Sequence, residues 1–461
     1  MKKCFLTLLL VAMFSLVACN FNEAQVAVGT AETNQEAIVN GKVPFARAIS
    51  NADFVFKNIE SLNHKQRKVK SVDVLTKSKI NSRISRTSLQ DEQEAPLAYV
   101  VNYENNEGFA ILAANTKLPP VISIGDEGNF NTEGFVEFTQ NGRNTRTGAE
   151  NDLDSAQEIQ YALVNNSLLL PQMDFDDVPI MGRDTTVLLK CLPLVSTKWG
   201  QGDPYNYYAP PIGNFTIVRN SAGSMPVAGA QVLASLCYHH NWRPTTQLSE
   251  DYPVDWDAIN RMIYADTYLF LSGNRSAEAL AVASLIRAVG EDIGADYGFS
   301  VTSAEIESLI TTFLRLGIGS VGIRNDNPNP DSNLSVVDSD VFDMIIAENL
   351  PVVTSAKDSV ANADEEYGFV IDGLLRLEYS VLFAHSEEAA PDPRTNLDNV
   401  QYHFDLVHIN LGKNGQCDGY YHPGAFDLTE DKYREYAEEH DTESTGTQVF
   451  DLNVKYLTYE M

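Results

Sequence analysis

Cysteine and positive charge are both scarce in this sequence, and each shortage excludes a class of protein. The 461 residues include five cysteines, and 33 lysines and arginines stand against 63 aspartates and glutamates, a formal net charge of −30. A surface this acidic repels nucleic acid, so nucleic-acid partners are excluded. Beyond the N-terminal segment lie Cys191, Cys237 and Cys417, too few and too scattered for a disulfide framework. No CxxC or HxxxH spacing suggests a metal site, and no cofactor is predicted.

Long apolar runs are also missing, except for one at the N-terminus. Residues 5–18 are almost all apolar, follow two lysines and end in small residues, which is typical of a secretory signal peptide. The segment Leu16-Val17-Ala18-Cys19 resembles a bacterial lipobox, so residues 1–18 are predicted to be removed and Cys19 to be lipidated. The alternative is an ordinary cleaved signal with an incidental cysteine. We expect polar residues 19–43 to form the lipidated tether of a protein that is anchored in the bacterial cell envelope (periplasmic or outer-membrane surface) or secreted.

The remaining chain has the composition of a folded protein, with 44% hydrophobic and 21% charged residues. Residues 44–135 are predicted to form a small α/β unit, which begins with a helix over Val43–Leu62 because its apolar residues recur at helical spacing. Polar residues 65–86 predict an exposed stretch, and residues 136–190 a connector with one helix over Asp154–Leu170. Three strand-like runs fall between these segments, the first two joined as a hairpin: Leu97–Tyr103, Gly108–Ala113 and Pro120–Ile124.

Residues 191–461 are predicted to form an α+β domain, because its helices come first and its strands later. Apolar residues at helical spacing predict helices over 225–240 and 304–316. The predicted strands are Pro351–Ser355, Tyr367–Ile371, Val407–Leu411 and Thr447–Val454.

This second region contains short motifs whose order is informative. They are Trp199-Gly200-Gln201 followed by Pro204-Tyr205-Asn206, the helical segment 222–232, Tyr367-Gly368-Phe369-Val370-Ile371-Asp372-Gly373, His408-Ile409-Asn410-Leu411-Gly412, and Asp418-Gly419-Tyr420-Tyr421. Their order and spacing resemble the streptopain family of papain-fold cysteine peptidases. Residues 44–128, which end in V-I-S-I-G-D-E-G, resemble the streptopain-type prodomain. The resemblance implies a papain-like fold, with a helical part and an antiparallel sheet part, preceded by a small α/β prodomain-like unit.

The resemblance places the family's catalytic machinery on positions that this chain has changed. Counting within the motifs, the nucleophilic cysteine matches Ser224 and the catalytic histidine matches Tyr367. Gln201, at the oxyanion position, and Asn410, at the orienting position, keep the family residue. The two tryptophans that follow the asparagine are replaced by Leu411 and Lys413.

These changes remove the chemistry on which a papain-type peptidase depends. Its thiolate is stabilised by an imidazolium and a helix N-terminus, whereas Ser224 would need a general base. The phenol of a tyrosine titrates near 10 and is no base at neutral pH, so Tyr367 cannot take that role. An engineered Cys→Ser trap would explain Ser224 but not the other changes, so natural loss is favoured. The alternative, purely structural roles are that Ser224 caps its helix and that Tyr367 fills the former cleft.

A relocated base stays open at this point. Seven histidines lie in the second region, but His239 and His240 sit at the far end of the helix that Ser224 begins, about 22–24 Å away. The others are His385, His403, His408, His422 and His440.

Three functions therefore remain. The first is a non-catalytic pseudopeptidase that binds peptide or protein through the former cleft. The second is an active cysteine-type or serine-type endopeptidase with a relocated dyad. The third is an inhibitor or interaction protein that uses its prodomain-like unit against active peptidases. A chain without catalysis cannot cut itself, so the prodomain-like unit is predicted to stay attached.

Overall fold

The computed structural model describes residues 41–60, 66–80, 95–141, 155–169, 179–213, 215–264, 272–298, 301–325, 337–357, 366–384, 397–426, 449–450 and 452–461. The predicted signal peptide, the lipidation site Cys19, His385 and His440 lie outside these residues. Within them, no helix is long and apolar enough to cross a membrane.

Helices occur in both of the regions that the sequence predicts. Their bounds are α1 Phe45–Ile59, α2 Lys77–Ile80, α3 Thr132–Asn141, α4 Ser155–Leu169, α5 Ser224–His239, α6 Trp256–Tyr264, α7 Ala277–Asp292, α8 Ser308–Arg315 and α9 Ser339–Phe342, which runs into a π-helical turn at Asp343–Ala347.

The strands are mostly gathered in one sheet. Their bounds are β1 Val69–Thr76, β2 Pro96–Tyr103, β3 Phe109–Ala113, β4 Val121–Gly125, β5 Pro179–Cys191, β6 Pro211–Ile212, β7 Phe215–Arg219, β8 Asp296–Tyr297, β9 Thr302–Ser303, β10 Gly319–Asn325, β11 Val352–Lys357, β12 Glu366–Ala384, β13 Leu397–Asn410, β14 Gly419–Tyr421 and β15 Lys455–Glu460.

An antiparallel sheet of 11 strands runs through both predicted regions in the order β1-β2-β3-β4-β14-β13-β12-β11-β15-β10, and β5 pairs with β12. The strands of the N-terminal unit join those of the C-terminal region where β4 pairs with β14. The hairpins β6–β7 and β8–β9 stand apart from this sheet. The predicted α+β class with an antiparallel sheet part is confirmed, and the N-terminal unit extends that sheet.

Most predicted elements are confirmed within a few residues, and two are wrong. The predicted strands Tyr367–Ile371 and Val407–Leu411 are parts of the much longer β12 and β13. Residues 69–76 form β1, which pairs with β2, where an exposed stretch was expected. Leu75 is the one buried residue of β1, so the strand has little apolar pattern. The final strand is Lys455–Glu460, and the described residues of 447–454 are not strand. Sequence periodicity also missed α6 and α7.

The connector contains more structure than the one predicted helix. That helix is α4, and it is almost entirely buried. Its Asn166 donates to the carbonyls of Ala425 and Phe450 over 2.9 and 2.7 Å, so it ties the connector to the end of the chain. The strand β5, residues 179–191, lies alongside the second half of β12.

The sheet separates two apolar cores because successive side chains of a strand point to opposite faces. On one face, α1 packs with Val101, Leu112 and Phe404. On the other, Val100 and Ile111 belong to a larger core that includes α4, α5 and α7. The helix α5 packs against β12 in this larger core, and the candidate catalytic positions lie at that contact.

Candidate active site

Two glycines allow close contacts at the start of α5, one with β9 and one with β12. Gly223, just before the helix, has φ +90°, and a Cβ there would lie 2.8 Å from Thr302 Cγ2. A Cβ at Gly368 would lie 2.6 Å from the Cα of Met225, so only glycine allows this approach of strand to helix. The positions that match the family's nucleophile and base therefore meet where α5 begins.

Ser224 is buried, and its hydroxyl is used for structure. It is the first residue of α5, the N-cap is Gly223, and no side-chain cap is formed. The expectation that Ser224 caps the helix is therefore wrong. Its Oγ instead accepts a hydrogen bond of 3.0 Å from the backbone N–H of Gly368, the residue after Tyr367. The contact fixes the two substituted positions side by side.

The phenol of Tyr367 is hydrogen-bonded on both sides. The hydroxyl donates to the backbone carbonyl of Leu411 over 2.6 Å and accepts from Nε2 of Gln201 over 3.2 Å. Its ring packs at the edge of the larger core. The side chain at the base position thus links the oxyanion position to the position of the first missing tryptophan.

Gln201 is held at both ends of its amide. While Nε2 donates to Tyr367, Oε1 accepts from the hydroxyl of Ser221 over 3.2 Å. The backbone carbonyl of Gln201 accepts from Ala222 N–H over 2.9 Å. An oxyanion donor needs an N–H directed at the developing negative charge, and one of the two N–H groups on Gln201 Nε2 is engaged by the phenol.

Asn410 belongs to a buried amide network at the end of β13. Its Oδ1 accepts from Gln231 Nε2 over 3.1 Å and from Gly412 N–H over 3.0 Å, and its Nδ2 donates to the carbonyl of Thr197 over 2.8 Å. Gln231 in turn accepts from Trp199 N–H over 3.3 Å. These bonds fasten α5 to the loops at 197–199 and 411–412.

The described histidines do not provide Ser224 with a base. None of those that the structure describes is hydrogen-bonded to Ser224. His240 contacts the carbonyl of Asn349 at the far end of α5, over 2.9 Å, and His403 pairs with Glu378 over 3.0 Å. His422 is fully buried, and burial lowers its pKa to about 3.

Cys191 and Cys237 are equally unsuited to replace the nucleophile. Burial, with a smaller effect of Asp372, raises the pKa of Cys191 to about 11. Burial also raises the pKa of Cys237, whose sulfur accepts from Arg243 over 2.9 Å. A reactive cysteine needs the opposite shift, toward the thiolate.

Among the histidines that the structure describes, His408 has carboxylates on both ring nitrogens, and sequence reasoning missed these partners. Its Nδ1 lies 2.5 Å from Oδ1 of Asp372, and its Nε2 lies 2.9 Å from Oδ2 of Asp126. Burial alone lowers the pKa of His408, but the two carboxylates outweigh it and raise the pKa well above its usual value. Asp126 belongs to the V-I-S-I-G-D-E-G motif of the N-terminal unit, 282 residues away in sequence. No local pattern links the two positions.

Asp418 completes this buried group of charges. Its carboxylate accepts from Leu411 N–H over 2.8 Å. Burial is the largest influence on it and raises its pKa to about 7. No group of histidines, cysteines and carboxylates among the described residues has an arrangement that could hold a metal ion.

Comparison with known proteins agrees with the motifs. Residues 199–421 match the model of the Peptidase C10 family, and residues 47–140 match that of the Spi protease inhibitor family. No significant match is found among curated proteins.

Two solved structures from Prevotella intermedia are similar. A prointerpain A fragment is 16% identical, with 85% of this chain and 98% of that chain covered and a TM-score of 0.46. The active wild-type interpain A cysteine protease is 19% identical, with 59% and 95% covered and a TM-score of 0.36. The assignment rests on the family models, which confirm the predicted resemblance to streptopain-type peptidases and their prodomain. Residues 199–421 are therefore similar to the Peptidase C10 family, and the preceding residues 47–140 are similar to the Spi protease inhibitor family.

Proposed function

We propose that this chain is a non-catalytic member of the Peptidase C10 family, a pseudopeptidase that binds peptide or protein through the former cleft. The observation that carries the proposal is the phenol of Tyr367, bonded to Leu411 and Gln201 where the family has its catalytic imidazole. A phenol that donates to a carbonyl cannot take a proton from a nucleophile at neutral pH.

The state of Ser224 supports the same proposal. An alkoxide would need a base within about 2.6–3.2 Å, and the described contact of Ser224 Oγ is a backbone N–H donor. Loss of a nucleophile or base costs on the order of 10⁶ in turnover in a well-studied serine protease triad. Here both are replaced, and no described histidine is hydrogen-bonded to Ser224, which argues against a relocated base for this hydroxyl among the described residues.

The proposed binding role rests on the framework that survives. Gln201, Gln231 and Asn410 remain hydrogen-bonded around the start of α5, although catalysis no longer requires them. The proposed location is the bacterial envelope, with a lipid on Cys19, and it rests on the lipobox-like segment alone.

The test is casein hydrolysis by residues 20–461 beside the double variant Ser224→Cys plus Tyr367→His. We expect the native chain to be silent and to bind fluorescent casein peptides without cutting them, as measured by polarisation. We expect the double variant to cut, because it restores a thiol and an imidazole at adjoining positions. The single variants Ser224→Cys and Tyr367→His are the matched controls and should stay silent.

Casein hydrolysis by the native chain would overturn the proposal. Inhibition by a thiol-blocking reagent would then assign the activity to a cysteine, and resistance to it would assign it to a hydroxyl nucleophile. Absence of peptide binding would overturn the binding role while leaving the lack of catalysis in place.

A further inference from the structure

We call the part of the chain around residues 47–140 the inhibitor-family region and the part around residues 199–421 the peptidase region. Backbone hydrogen bonds join the two regions. The strand β4 pairs with β14 in the register Ser123 with Tyr421, Ile124 with Tyr420 and Gly125 with Gly419. The next residue continues the contact, because Asp126 N–H donates to the carbonyl of Asp418 over 3.0 Å. Separation of the regions would leave two sheet edges unpaired.

The two regions also share an apolar core. Phe56 of α1 and Leu112 of β3 pack in one cluster with Leu377 of β12 and with Phe404 and Leu406 of β13. All five side chains are 2% exposed or less. Removal of the N-terminal region would expose a continuous apolar face on the long β12–β13 hairpin, which a soluble monomer rarely tolerates.

A buried charge bridge crosses the same boundary. The imidazole of His408 lies between Asp372 of its own region and Asp126 of the inhibitor-family region, 2.5 and 2.9 Å away. The His408 side chain is 4% exposed. Without Asp126, this buried imidazolium would lose one of its two carboxylates. A charge left partly unpaired in a protein interior is strongly destabilising.

A second ion pair lies beside the bridge but nearer to solvent. Lys198 Nζ contacts Glu127 Oε1 over 2.6 Å, and the two side chains are 22% and 40% exposed. Exposed pairs contribute little to stability. Asp126 and Glu127 are adjacent carboxylates that face the same region and are 27% and 40% exposed. Asp126 pairs with a buried imidazole and Glu127 with a partly exposed lysine, so they form a matched pair for experiment.

We propose that residues 41–141 are a permanent structural part of this protein, docked on the peptidase region through β4–β14 and the Asp126–His408–Asp372 bridge. They stay docked even when the chain that connects the regions is cut. This inference concerns association and does not depend on the proposed lack of catalysis. In this proposal, the surface around β14 and His408 is the binding site for the chain's own strand β4 and the aspartate that follows it.

The test uses the chain from residue 20 to 461 with a site-specific protease sequence inserted between α3 and α4. After complete cleavage, the sample is diluted and passed over a size-exclusion column at pH 7. We expect the two fragments to elute together and to separate only in guanidinium. Separate elution in native buffer would overturn the proposal, whatever the result of the casein assay.

The contribution of the bridge is tested with Asp126→Asn against Glu127→Gln in the cleaved sample. Loss of a buried charge partner acts mainly on dissociation, so Asp126→Asn should release the fragment about 30-fold faster or more. Glu127→Gln should change the release rate by less than about threefold. Equal rates in the two variants would refute the role of the bridge.

Hydrogen exchange of the uncut native chain is a second measurement that needs no variant. If docking is permanent, the amides of β4 should be protected to the same degree as those of β12 and β13, because they open only with global unfolding. Faster exchange in β4 than in those strands would show that the inhibitor-family region opens by itself, and would overturn the proposal.

Discussion

Tyr367 makes two hydrogen bonds through a single oxygen atom, one to Leu411 and one to Gln201. Tyr367→Phe removes both bonds and leaves the ring in place. We expect the free energy of unfolding to fall by about 1–3 kcal/mol, because each of the two bonds contributes about 0.5–1.5 kcal/mol. Urea unfolding measures the change, with Tyr264→Phe as the control because Tyr264 is 82% exposed. Equal stability of Tyr367→Phe and the native chain would mean that the phenol does not hold the cleft together.

At the scale of single residues, sequence reasoning located the substituted positions but not their bonds. Counting within motifs placed Ser224 and Tyr367, and the structure brings them to adjoining places at the start of α5 and β12. The bridge from His408 to Asp126 could not be predicted, because its partners are 282 residues apart and no pattern links the two motifs in which they stand. Long-range charge pairing is a property of the folded chain.

At the scale of elements, the contact of β12 with α5 depends on the absence of a side chain at Gly368. In Gly368→Ala the new Cβ would lie 2.6 Å from Met225 Cα, and a backbone atom cannot move aside cheaply. We expect a loss of about 1–3 kcal/mol in the free energy of unfolding, as for other overpacked interiors. Urea unfolding again measures it. Gly202→Ala is the control, since a Cβ there meets nothing within 4 Å. A loss equal to that of the control would contradict the close approach.

The elements that were predicted well have apolar residues at a regular helical or strand spacing, or clear turn signals at their ends. Apolar spacing located α1, α4 and α5, each within a few residues of its observed bounds. The strand β1 was not predicted, because only Leu75 is buried in it and its polar sequence is typical of a loop. Its identity as a strand comes from pairing with β2, which periodicity does not report.

At the scale of the whole molecule, buried titrating groups limit stability at both ends of the pH range. Asp418, with its pKa raised to about 7, opposes folding increasingly as the pH rises from about 4 to about 7. His408 has a raised pKa, so its contribution is complete below the ordinary histidine value of about 6.5 and is lost as the pH rises through the raised value. Both groups therefore make the fold less stable toward alkaline pH.

His422 acts in the opposite direction. Its ring is fully buried and stacks at 6.3 Å on Phe404, and burial lowers its pKa from 6.5 to about 3. The unfolded chain binds a proton at this residue below about 6.5 while the folded chain stays neutral, so stability falls as the pH drops toward 3. Between pH 7 and pH 4 this effect amounts to about 3 kcal/mol.

The variant His422→Phe should remove that loss, because phenylalanine keeps a flat ring beside Phe404 and takes up no proton. Its free energy of unfolding should change little at pH 7, and relative to the native chain it should gain about 3 kcal/mol at pH 4. Urea unfolding at the two pH values gives the comparison, and the measurement at pH 7 corrects for any change in packing. An equal difference between variant and native chain at both pH values would mean that His422 is protonated in the folded protein. A buried water or a carboxylate would then have to satisfy its ring nitrogens.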